Sequence, residues 1–348
     1  MASPGPRNAL TDIDGLLVGN AQDADVRTGV TVVLADKPLI ASVDVRGGAP
    51  GTRDTDLLDP CRISAGVDAI VLAGGSEFGL EAASGVCAEL SVRGRGVDAG
   101  PVPIPIVPAA ILFDIAYGGD KNWGATPPYR ALGVTALNAA AADFALGNVG
   151  AGLGAKAGRL KSGLGTASVV DPASGVTIAA LVAANPLGSP VIPGCDGLWA
   201  WSLERNGELG GQPIPTGPIA ANADAEFDNP LASVGANTVI GVVATDADLS
   251  KPEAHRLAVM AQDGFARAIR PSHTPFDGDV LFAIATGRRG LAEGNRPRLI
   301  ARLGTFGADV VARAIARGVY EAESLGRFPS YRSRHGHALT GAVARSKT

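Results

Sequence analysis

The sequence predicts a mixed fold in which buried β-strands and amphipathic helices share one core. Short apolar runs bounded by turn residues predict strands, most clearly at 238–245 and 280–285. Two longer segments, 250–269 and 297–323, repeat apolar residues at helical spacing. Hydrophobic residues make up 46% of the 348 residues and charged residues 18%, a balance that excludes intrinsic disorder of the body. Periodicity alone leaves open whether the sheets are parallel or are stacked and antiparallel.

The N-terminal third of the chain alternates apolar runs with turn residues. Residues 8–46 include such runs at 29–34 and 40–45, which predict strands. The segment 46–56 is rich in glycine and predicts a loop. The apolar run 69–73 predicts a further strand.

The next elements are a helix, an extended segment and a second helix. Gly74-Gly75-Ser76 follow the predicted strand and lie at the N-terminus of an alanine-rich helix from about Leu80 to Arg93. Prolines stand among Val and Ile over 100–112, which predicts an extended edge segment. Composition predicts a helix over 131–145.

The middle of the chain holds two loops around a strand. Glycines over 147–154 predict a flexible loop. The run 177–183 predicts a strand that ends at Asn185-Pro186. The polar, proline-bearing stretch 207–236 is long for a structureless connection, so it is interpreted as a functional or processed loop.

The C-terminal part combines two strands with two helices. Ser250-Lys251-Pro252-Glu253 has the spacing of a capping box and predicts the start of the helix that follows the 238–245 strand. The strand at 280–285 and the helix at 297–323 come next. From about Phe328 the chain is rich in Arg and Ser and is expected to fray.

Charge and hydropathy exclude several function classes. The formal net charge is −4 and no dense basic stripe precedes the last twenty residues, which argues against nucleic-acid binding. No apolar run reaches the roughly 18 residues that span a bilayer, and the N-terminal residues lack a hydrophobic signal core. The sequence therefore predicts a cytoplasmic protein without a membrane partner.

No metal or nucleotide cofactor is expected. The three cysteines are widely spaced and form neither a CxxC pair nor a disulfide framework, and the four histidines are too scattered for a zinc set. Gly152-x-Gly154-x-x-Ala157 matches a loose dinucleotide fingerprint, but the strong strand that should precede it is missing. The same region also lacks the Gly-Lys-Ser/Thr ending of a phosphate loop.

The junction Asn237-Thr238 places a hydroxyl residue at the mouth of a buried strand, behind a Gly-Ala-Asn lead. If the peptide bond between these residues breaks, Thr238 gains a free α-amine that can act as the base for its own hydroxyl. The alternative is an ordinary turn, since Asn before a strand is common turn chemistry. The residues Gly235-Ala236-Asn237-Thr238 by themselves do not decide between self-cleavage and an ordinary turn.

Asp277 and Asp279 flank a glycine directly before the 280–285 strand. If the segment is extended, both carboxylates point to the same side, so that one can orient a hydroxyl or amine and the other can orient the first. The alternative is a solvated Asp-Gly-Asp turn or a weak cation loop. Because this strand and the Thr238 strand flank the same helix, the two strands can lie side by side.

Two further residues can support such chemistry. Lys161 is a candidate electrostatic partner of a carboxylate or an intermediate, although a solvated loop lysine is the usual alternative. Asn185 stands at the end of a strand and offers an amide donor of the oxyanion-hole type. A turn-forming asparagine before proline is the alternative for this position.

Several segments together resemble the DmpA-type family of self-processing peptidases. This family includes L-aminopeptidase/D-esterases, β-aminopeptidases and endo-type 6-aminohexanoate (nylon) oligomer hydrolases. The resemblance covers nearly the whole chain to about residue 325. The motifs that carry it are Asn8-Ala9-Leu10-Thr11-Asp12-Ile13, the block from Gly47-Gly48-Ala49-Pro50-Gly51-Thr52-Arg53 to Leu58, Leu72 to Leu80, Gly163 to Ser168, Asn237-Thr238 and Asp277-Gly278-Asp279.

The resemblance implies an α+β fold of the αββα type, a four-layer sandwich with two stacked sheets and helices outside. It implies one catalytic domain over residues 1–348 that cleaves itself into an α-chain, 1–237, and a β-chain, 238–348. Family members assemble as tetramers of such αβ heterodimers, so a homo-oligomer is expected. The resemblance also implies Thr238 as nucleophile, Asp279 as the nearest carboxylate with Asp277 behind it, and Lys161 and Asn185 as supporting charge and amide donor.

Some positions depart from the family pattern. Many members have Ser as nucleophile and a Ser/Glu pair, so Thr with Asp-x-Asp is closer to the nylon-oligomer branch. A family Tyr is replaced by Phe113, which predicts the loss of one hydroxyl contact. The spacing before Lys161 is altered, so Arg159 can occupy the place of the family lysine.

The leading hypothesis is a self-processing hydrolase of small peptides or amides that needs no cofactor. An endo-type hydrolase of 6-aminohexanoate oligomers is the first alternative. A non-catalytic binder of small molecules that keeps the fold without processing is the second, motivated by Phe113 and the shifted lysine. The sequence does not discriminate among α-peptide, β-peptide and aminohexanoate substrates.

Overall fold

A computed structural model describes residues 2–64, 66–219, 236–291 and 295–340. The strands are β1 (Leu16–Asp23), β2 (Thr28–Val45), β3 (Thr52–Arg53), β4 (Val67–Ala73), β5 (Ala109–Ile111), β6 (Lys156–Ala157), β7 (Leu160–Lys161), β8 (Leu164–Val170), β9 (Thr177–Asn185), β10 (Thr238–Ala247) and β11 (Val280–Arg289). The α-helices are α1 (Glu81–Val92), α2 (Tyr129–Asn138), α3 (Lys251–Ala261), α4 (Asp263–Ala268), α5 (Arg296–Glu321) and α6 (Tyr331–His335).

The strand β2 links two sheet layers. Its first half pairs with β1 and β4, its last six residues pair with β11, and the register shifts between Leu34 and Leu39. Across the described residues the strand order is β3-β5-β4-β2-β11-β10-β9-β8, with β1 added on β2. One continuous ladder therefore supplies both layers.

Side-chain alternation along β9 shows how the layers stack. Ala179, Leu181 and Ala183 lie in one buried cluster with residues of β1, β2 and β4, which belong to the other layer. The intervening residues, including Ile178 and Val182, lie in a second cluster with α3, α4 and α5. A third cluster joins the outer face of β4 to α1 and α2. The order helix, sheet, sheet, helix confirms the αββα sandwich.

Several sequence-based elements agree with the structure. The helix expected from about Leu80 to Arg93 is α1, and the strand expected over 177–183 is β9. Ser250 and Glu253 form the predicted capping box at the start of α3. Strands β10 and β11 lie side by side, as expected for two strands that flank the same helix, and the structure shows that they are parallel.

Other elements differ from the prediction. The helix expected over 131–145 ends at Asn138, because the backbone of Ala141 bonds to Val18 of β1 instead. The helix expected over 250–269 divides at Gln262, whose side-chain amide donates to the carbonyl of Asp44 at 2.8 Å. The predicted edge segment contains β5, which lies between β3 and β4.

The chain after residue 328 is more ordered than the composition indicates. Phe328 and Tyr331 are buried, and the Tyr331 hydroxyl donates to the carbonyl of Asp196 at 2.8 Å. The rest of the expected frayed tail, 341–348, lies outside the described residues, as do residues 220–235 of the expected processed loop 207–236.

Within the described ranges, no helix combines the length and the apolar character that a membrane crossing requires.

A buried ion pair anchors α5 to the segment after β9. The Nε and Nη2 atoms of Arg313 donate to the two carboxylate oxygens of Glu208 at 2.6 and 2.8 Å. Both side chains are at most 6% exposed. Arg313 Nη2 also donates to the side-chain oxygen of Asn8 at 2.8 Å, so the pair holds three distant parts of the chain together.

We expect Arg313→Ala to lower the free energy of unfolding by about 3 kcal/mol, because it removes two charged hydrogen bonds to the buried Glu208 carboxylate and leaves Arg317, at 3.9 Å, as its cationic partner. Urea unfolding followed by circular dichroism measures this change. Asp309→Asn is the matched control on the same helix, since its pair with Arg267 is 30–39% exposed and contributes about 0–1 kcal/mol. Equal decreases in the free energy of unfolding in both variants would contradict the stabilising role of the Arg313–Glu208 pair.

Candidate active site

The edge where β9 ends and β10 begins brings the predicted site residues together. Thr238, the first residue of β10, pairs with Asn185, the last residue of β9. On the other side, Asn237 forms a parallel bridge with Asp277, two residues before Asp279. All five side chains are at most 2% exposed.

Two donors converge on the carbonyl oxygen of Asn237. The Thr238 hydroxyl donates to this oxygen, and the backbone N–H of Gly278 donates to it at 2.8 Å. The hydroxyl of Thr238 is thus held against the peptide bond that precedes it. The geometry also places an N–H where negative charge would develop if that carbonyl were attacked.

Glycines allow this close approach. A Cβ at Gly278 would lie 2.8 Å from the Thr238 hydroxyl oxygen and 2.5 Å from the carbonyl oxygen of Ala49. A Cβ at Gly47 would lie 2.1 Å from the backbone nitrogen of Asp279. The glycine-rich loop after β2 therefore packs directly on the turn that carries the two carboxylates.

The carboxylate of Asp277 is held by donors from two directions. One oxygen accepts from the backbone N–H of Leu187 at 3.0 Å, and the other accepts from the N–H and the hydroxyl of Thr274 at 3.0 and 2.5 Å. Burial, together with the nearby charge of Asp279, raises the pKa of Asp277. Ionisation of this carboxyl group is therefore less favourable here than in water.

The carboxylate of Asp279 is tied to Val239, the residue that follows Thr238. One oxygen accepts from the backbone N–H of Val239 at 2.8 Å. The other accepts from the N–H of His273 at 3.1 Å and lies 2.8 Å from the ring Nδ1 of the same histidine. Sequence inspection missed His273 and Thr274, although both stand in the segment that leads into Asp277.

The lysine beside the junction is Lys156. Its ammonium donates to the side-chain oxygen of Asn237 at 2.6 Å and to the carbonyl of Pro186 at 2.9 Å. The ammonium of Lys161 donates instead to the carbonyls of Gly152, at 3.1 Å, and Ser162, and Arg159 is exposed. The structure thus brings neither Lys161 nor Arg159 into hydrogen-bond contact with the junction.

A sequence signal for Lys156 exists. Lys156 lies between two alanines directly after the glycine-rich loop, and a lysine in such apolar surroundings is expected to be buried and partnered. Strands β6 and β7 pair Lys156 with Lys161, so two buried lysines share one hairpin. Choosing between them requires the tertiary structure.

Asn185 uses its amide to connect elements around the site. Its Nδ2 donates to the carbonyl of Phe113 at 2.9 Å, and its Oδ1 accepts from the backbone N–H of Lys156 at 3.1 Å. Its amide donor is therefore engaged with Phe113. The oxyanion role expected for Asn185 stays a prediction.

A tyrosine that the sequence analysis missed brings a hydroxyl to the site. The hydroxyl of Tyr117 donates to the carbonyl of Ala236 at 2.7 Å, one residue before the junction. The ring of Phe113 packs edge-on against Tyr117, with centroids 5.9 Å apart. The replacement of the family tyrosine by Phe113 therefore does not leave the junction without a phenol.

In the part of the chain that the structure describes, no group of three or more His, Cys, Asp or Glu side chains is arranged to hold a metal ion. The residues at the junction supply a hydroxyl, two carboxylates, an ammonium and amide groups. This set is suited to acyl transfer, in which a hydroxyl attacks a carbonyl and nearby N–H groups stabilise the oxyanion.

Comparison with known proteins identifies the family. A family model described as Peptidase family S58 matches residues 8–331. The chain belongs to peptidase family S58. This result confirms the resemblance to the DmpA-type peptidases, and S58 membership supports hydrolysis of peptide or amide bonds.

Relatives of this S58 chain fall into two named activities. An uncharacterized aminopeptidase of Mycobacterium tuberculosis is 43% identical over 343 residues, covering 93% of this chain and 97% of the relative. A 6-aminohexanoate-oligomer endohydrolase of Kocuria sp. is 30% identical over 292 residues, covering 82% of this chain and 76% of the relative.

A solved structure supports the fold of this S58 member. The L-aminopeptidase D-Ala-esterase/amidase of Ochrobactrum anthropi, described as a variant of the Ntn hydrolase fold, has a TM-score of 0.67 at 21% identity and covers 97% of each chain. The αββα sandwich described above is thus an architecture shared with an Ntn hydrolase.

The buried ammonium of Lys161 predicts a pH-dependent stability. Burial lowers the pKa of Lys161 to about 7, with the charge of Asp114 acting in the opposite direction. An unfolded lysine has a pKa near 10.4. Between these values the unfolded chain binds more protons, so the free energy of unfolding rises with pH by at most about 1.4 kcal/mol per pH unit, and below pH 7 this slope vanishes.

We therefore expect the free energy of unfolding of the wild type, relative to Lys161→Met, to increase by about 2 kcal/mol between pH 7 and pH 9. Urea titrations of both proteins at the two pH values measure this difference. Parallel pH profiles for the two proteins would show that Lys161 keeps its ordinary pKa in the folded state.

Proposed function

We propose that this protein is a self-processing, N-terminal-nucleophile amide hydrolase of the aminopeptidase type with Thr238 as its nucleophile. The observation that carries the proposal is the convergence of the Thr238 hydroxyl and the Gly278 N–H on the carbonyl oxygen of Asn237. An ordinary turn at the start of a strand does not need either contact. A peptide bond about to be attacked from its C-terminal side needs a hydroxyl close to its carbonyl group and a donor on its carbonyl oxygen.

The self-cleavage step uses residues already in place. The Thr238 oxygen attacks the carbonyl carbon of Asn237, and the Gly278 N–H stabilises the negative charge on the carbonyl oxygen. The Asn237–Thr238 C–N bond then breaks, and the nitrogen takes the proton that the hydroxyl gave up, which leaves an ester. Water hydrolyses this ester, so the products are a carboxylate at Asn237 and a free α-amine at Thr238.

Lys156 fits a positioning role in this step. Its ammonium holds the side chain of Asn237 at 2.6 Å, while Tyr117 holds the carbonyl of Ala236 on the N-terminal side. With Gly278 on the carbonyl of Asn237 itself, the residues before the cleaved bond are fixed at three atoms. Such fixation favours attack, because it holds the reacting groups in a near-attack geometry.

In the processed enzyme the same groups would act on substrates. The Thr238 hydroxyl attacks a substrate carbonyl, and its α-amine takes the proton and passes it to the leaving amine. Water then hydrolyses the acyl-enzyme. Asp277 and Asp279 lie within the same segment and supply negative charge that can hold the amine of Thr238 or of a substrate.

Aminopeptidase action is preferred to endo-type cleavage of nylon oligomers. The relative named an aminopeptidase is 43% identical, whereas the relative named an oligomer endohydrolase is 30% identical. The combination of Thr238 with Asp277 and Asp279 favours the oligomer endohydrolase instead. A panel of α-peptide, β-peptide and 6-aminohexanoate substrates would distinguish the two activities. Lys156 and Tyr117 at the junction argue against a non-catalytic binder, because they restore the charge and hydroxyl whose loss motivated that alternative.

We expect Thr238→Ala to remain one full-length chain on denaturing electrophoresis, whereas the wild type separates into fragments 1–237 and 238–348. We also expect its turnover of an N-terminal peptide amide to fall at least about a thousandfold, because the nucleophile is removed. Thr238→Ser is the matched control, since it keeps the hydroxyl and is expected to be cleaved. A wild-type chain that stays unbroken yet hydrolyses amides at full rate would contradict the proposal.

The two buried lysines of the β6–β7 hairpin provide a second test. We expect Lys156→Met to slow the appearance of the two fragments by about 10–100-fold, because it removes a charged hydrogen bond to Asn237. Lys161→Met is the matched control and is expected to process at nearly the wild-type rate. Full-length chain isolated in denaturant is diluted into buffer to refold, and the appearance of fragments is followed by mass spectrometry. The reverse order of effects would assign the role to Lys161.

A further inference from the structure

A cavity with two arginines opens beside the hairpin that carries Lys156. Its volume is about 280 Å³, near the lower end of the range for small-ligand sites. It is lined by the hairpin turn, by the segment that follows β9 and by α6. Its polar and charged lining residues are Arg159, Ser189, Asp196, Arg334 and His335.

The cavity carries an excess of positive charge. Its carboxylate, Asp196, is already engaged, with one oxygen 2.8 Å from His335 Nδ1 and the other 3.4 Å from His337 Nε2. Within the described ranges, neither the guanidinium of Arg159 nor that of Arg334 makes an ion pair or a side-chain hydrogen bond. Two guanidinium groups are therefore available to an anion.

The remaining wall of the cavity is apolar. Leu160 lines it from the hairpin, and Val191, Ile192 and Pro193 line it from the segment after β9. Guanidinium groups bind carboxylates through paired N–H donors, and an apolar wall suits an aliphatic chain. The cavity thus matches the carboxylate end of a short aliphatic or peptide chain.

Both walls of the cavity lead back to the junction. Ser189 lies two residues after Leu187, whose N–H donates to Asp277, and four residues after Asn185, the strand partner of Thr238. Four residues span at most about 14 Å. On the other wall, Leu160 pairs with Ala157, which directly follows Lys156. With the strand spacing of about 5 Å from Asn185 to Thr238, the cavity wall lies within about 19 Å of Thr238, so an extended chain of about six residues is long enough to reach it.

We infer that this cavity is a subsite that binds the terminal carboxylate of the substrate on the leaving-group side of the cleaved bond. The inference rests on the proposed function, since it assigns the cavity to a substrate held at Thr238. Arg159 and Arg334 bind the carboxylate, and neither touches the reacting atoms. The enzyme would then prefer short substrates with a free carboxyl end to the same substrates with that end blocked.

The kinetic test compares one short peptide in two forms, with a free C-terminal carboxylate and with a C-terminal amide. We expect the double variant Arg159→Gln, Arg334→Gln to raise KM for the carboxylate form by about tenfold and to leave KM for the amide form and both kcat values nearly unchanged. Arg332→Gln is the matched control, because Arg332 lies on the same helix, does not line the cavity and packs on the ring of Tyr320. Equal KM values for the two peptides in the wild type would overturn the inference.

A binding test separates this inference from the proposed function. Hexanoate is titrated into wild-type protein and into the double variant by calorimetry, with hexanamide as the neutral control. We expect hexanoate to bind the wild type and the Kd to rise about tenfold in the double variant. Absence of hexanoate binding, or equal binding to both proteins, would overturn the subsite even if Thr238 proves to be the nucleophile. If no peptide is hydrolysed, the proposed function fails and the titration alone decides on the cavity.

The same probe distinguishes a substrate subsite from a separate effector site. Hexanoate added to the kinetic assay is expected to compete with the carboxylate peptide and to leave turnover of the amide peptide unchanged. A change in kcat for the amide peptide would show that the cavity binds an independent carboxylate, and this result would overturn the assignment to the substrate.

Discussion

The hydrogen bond from Gly278 to the carbonyl of Asn237 is the interaction on which the site depends. It fixes the peptide unit before Thr238 against the turn that carries both carboxylates. The contact needs a glycine, because a Cβ at position 278 would press on the Thr238 hydroxyl and on Ala49. The start of β10, the glycine-rich loop and the Asp277–Asp279 turn therefore form one packed unit, in which none of the three can shift alone.

Burial gives this unit its electrostatic character. Ionised groups that leave water are tolerated only when donors or opposite charges surround them. Asp277 and Asp279 accept hydrogen bonds from five groups on Leu187, Thr274, Val239 and His273. Lys156 donates to Pro186 and Asn237. Such pre-oriented groups can stabilise charge that develops at the junction without reorganisation of water.

The sequence predicted those parts of the site that local pattern determines. The apolar runs after Thr238 and Asp279 defined β10 and β11, and their parallel pairing confirmed that the two motifs meet. Lys156 was missed because the choice between two lysines depends on the register of a two-residue hairpin. Tyr117 was missed because it reaches Ala236 through tertiary packing, across a separation of 119 residues. Local propensity carries no information on such contacts.

The sandwich itself explains why the glycine-rich loop reaches the site. The strand β2 crosses from one sheet layer to the other and ends beside β11, with Val45 opposite Val280. Arg46, which follows β2, and Asp279, which precedes β11, are therefore neighbours. The N–H groups of Arg46 and Gly47 donate to the carbonyl of Asp279 at 3.1 and 3.3 Å. The strand that joins the two layers thus also carries the loop that holds the carboxylates beneath Thr238. In this architecture the fold and the site share one constraint, which is the register between β2 and β11.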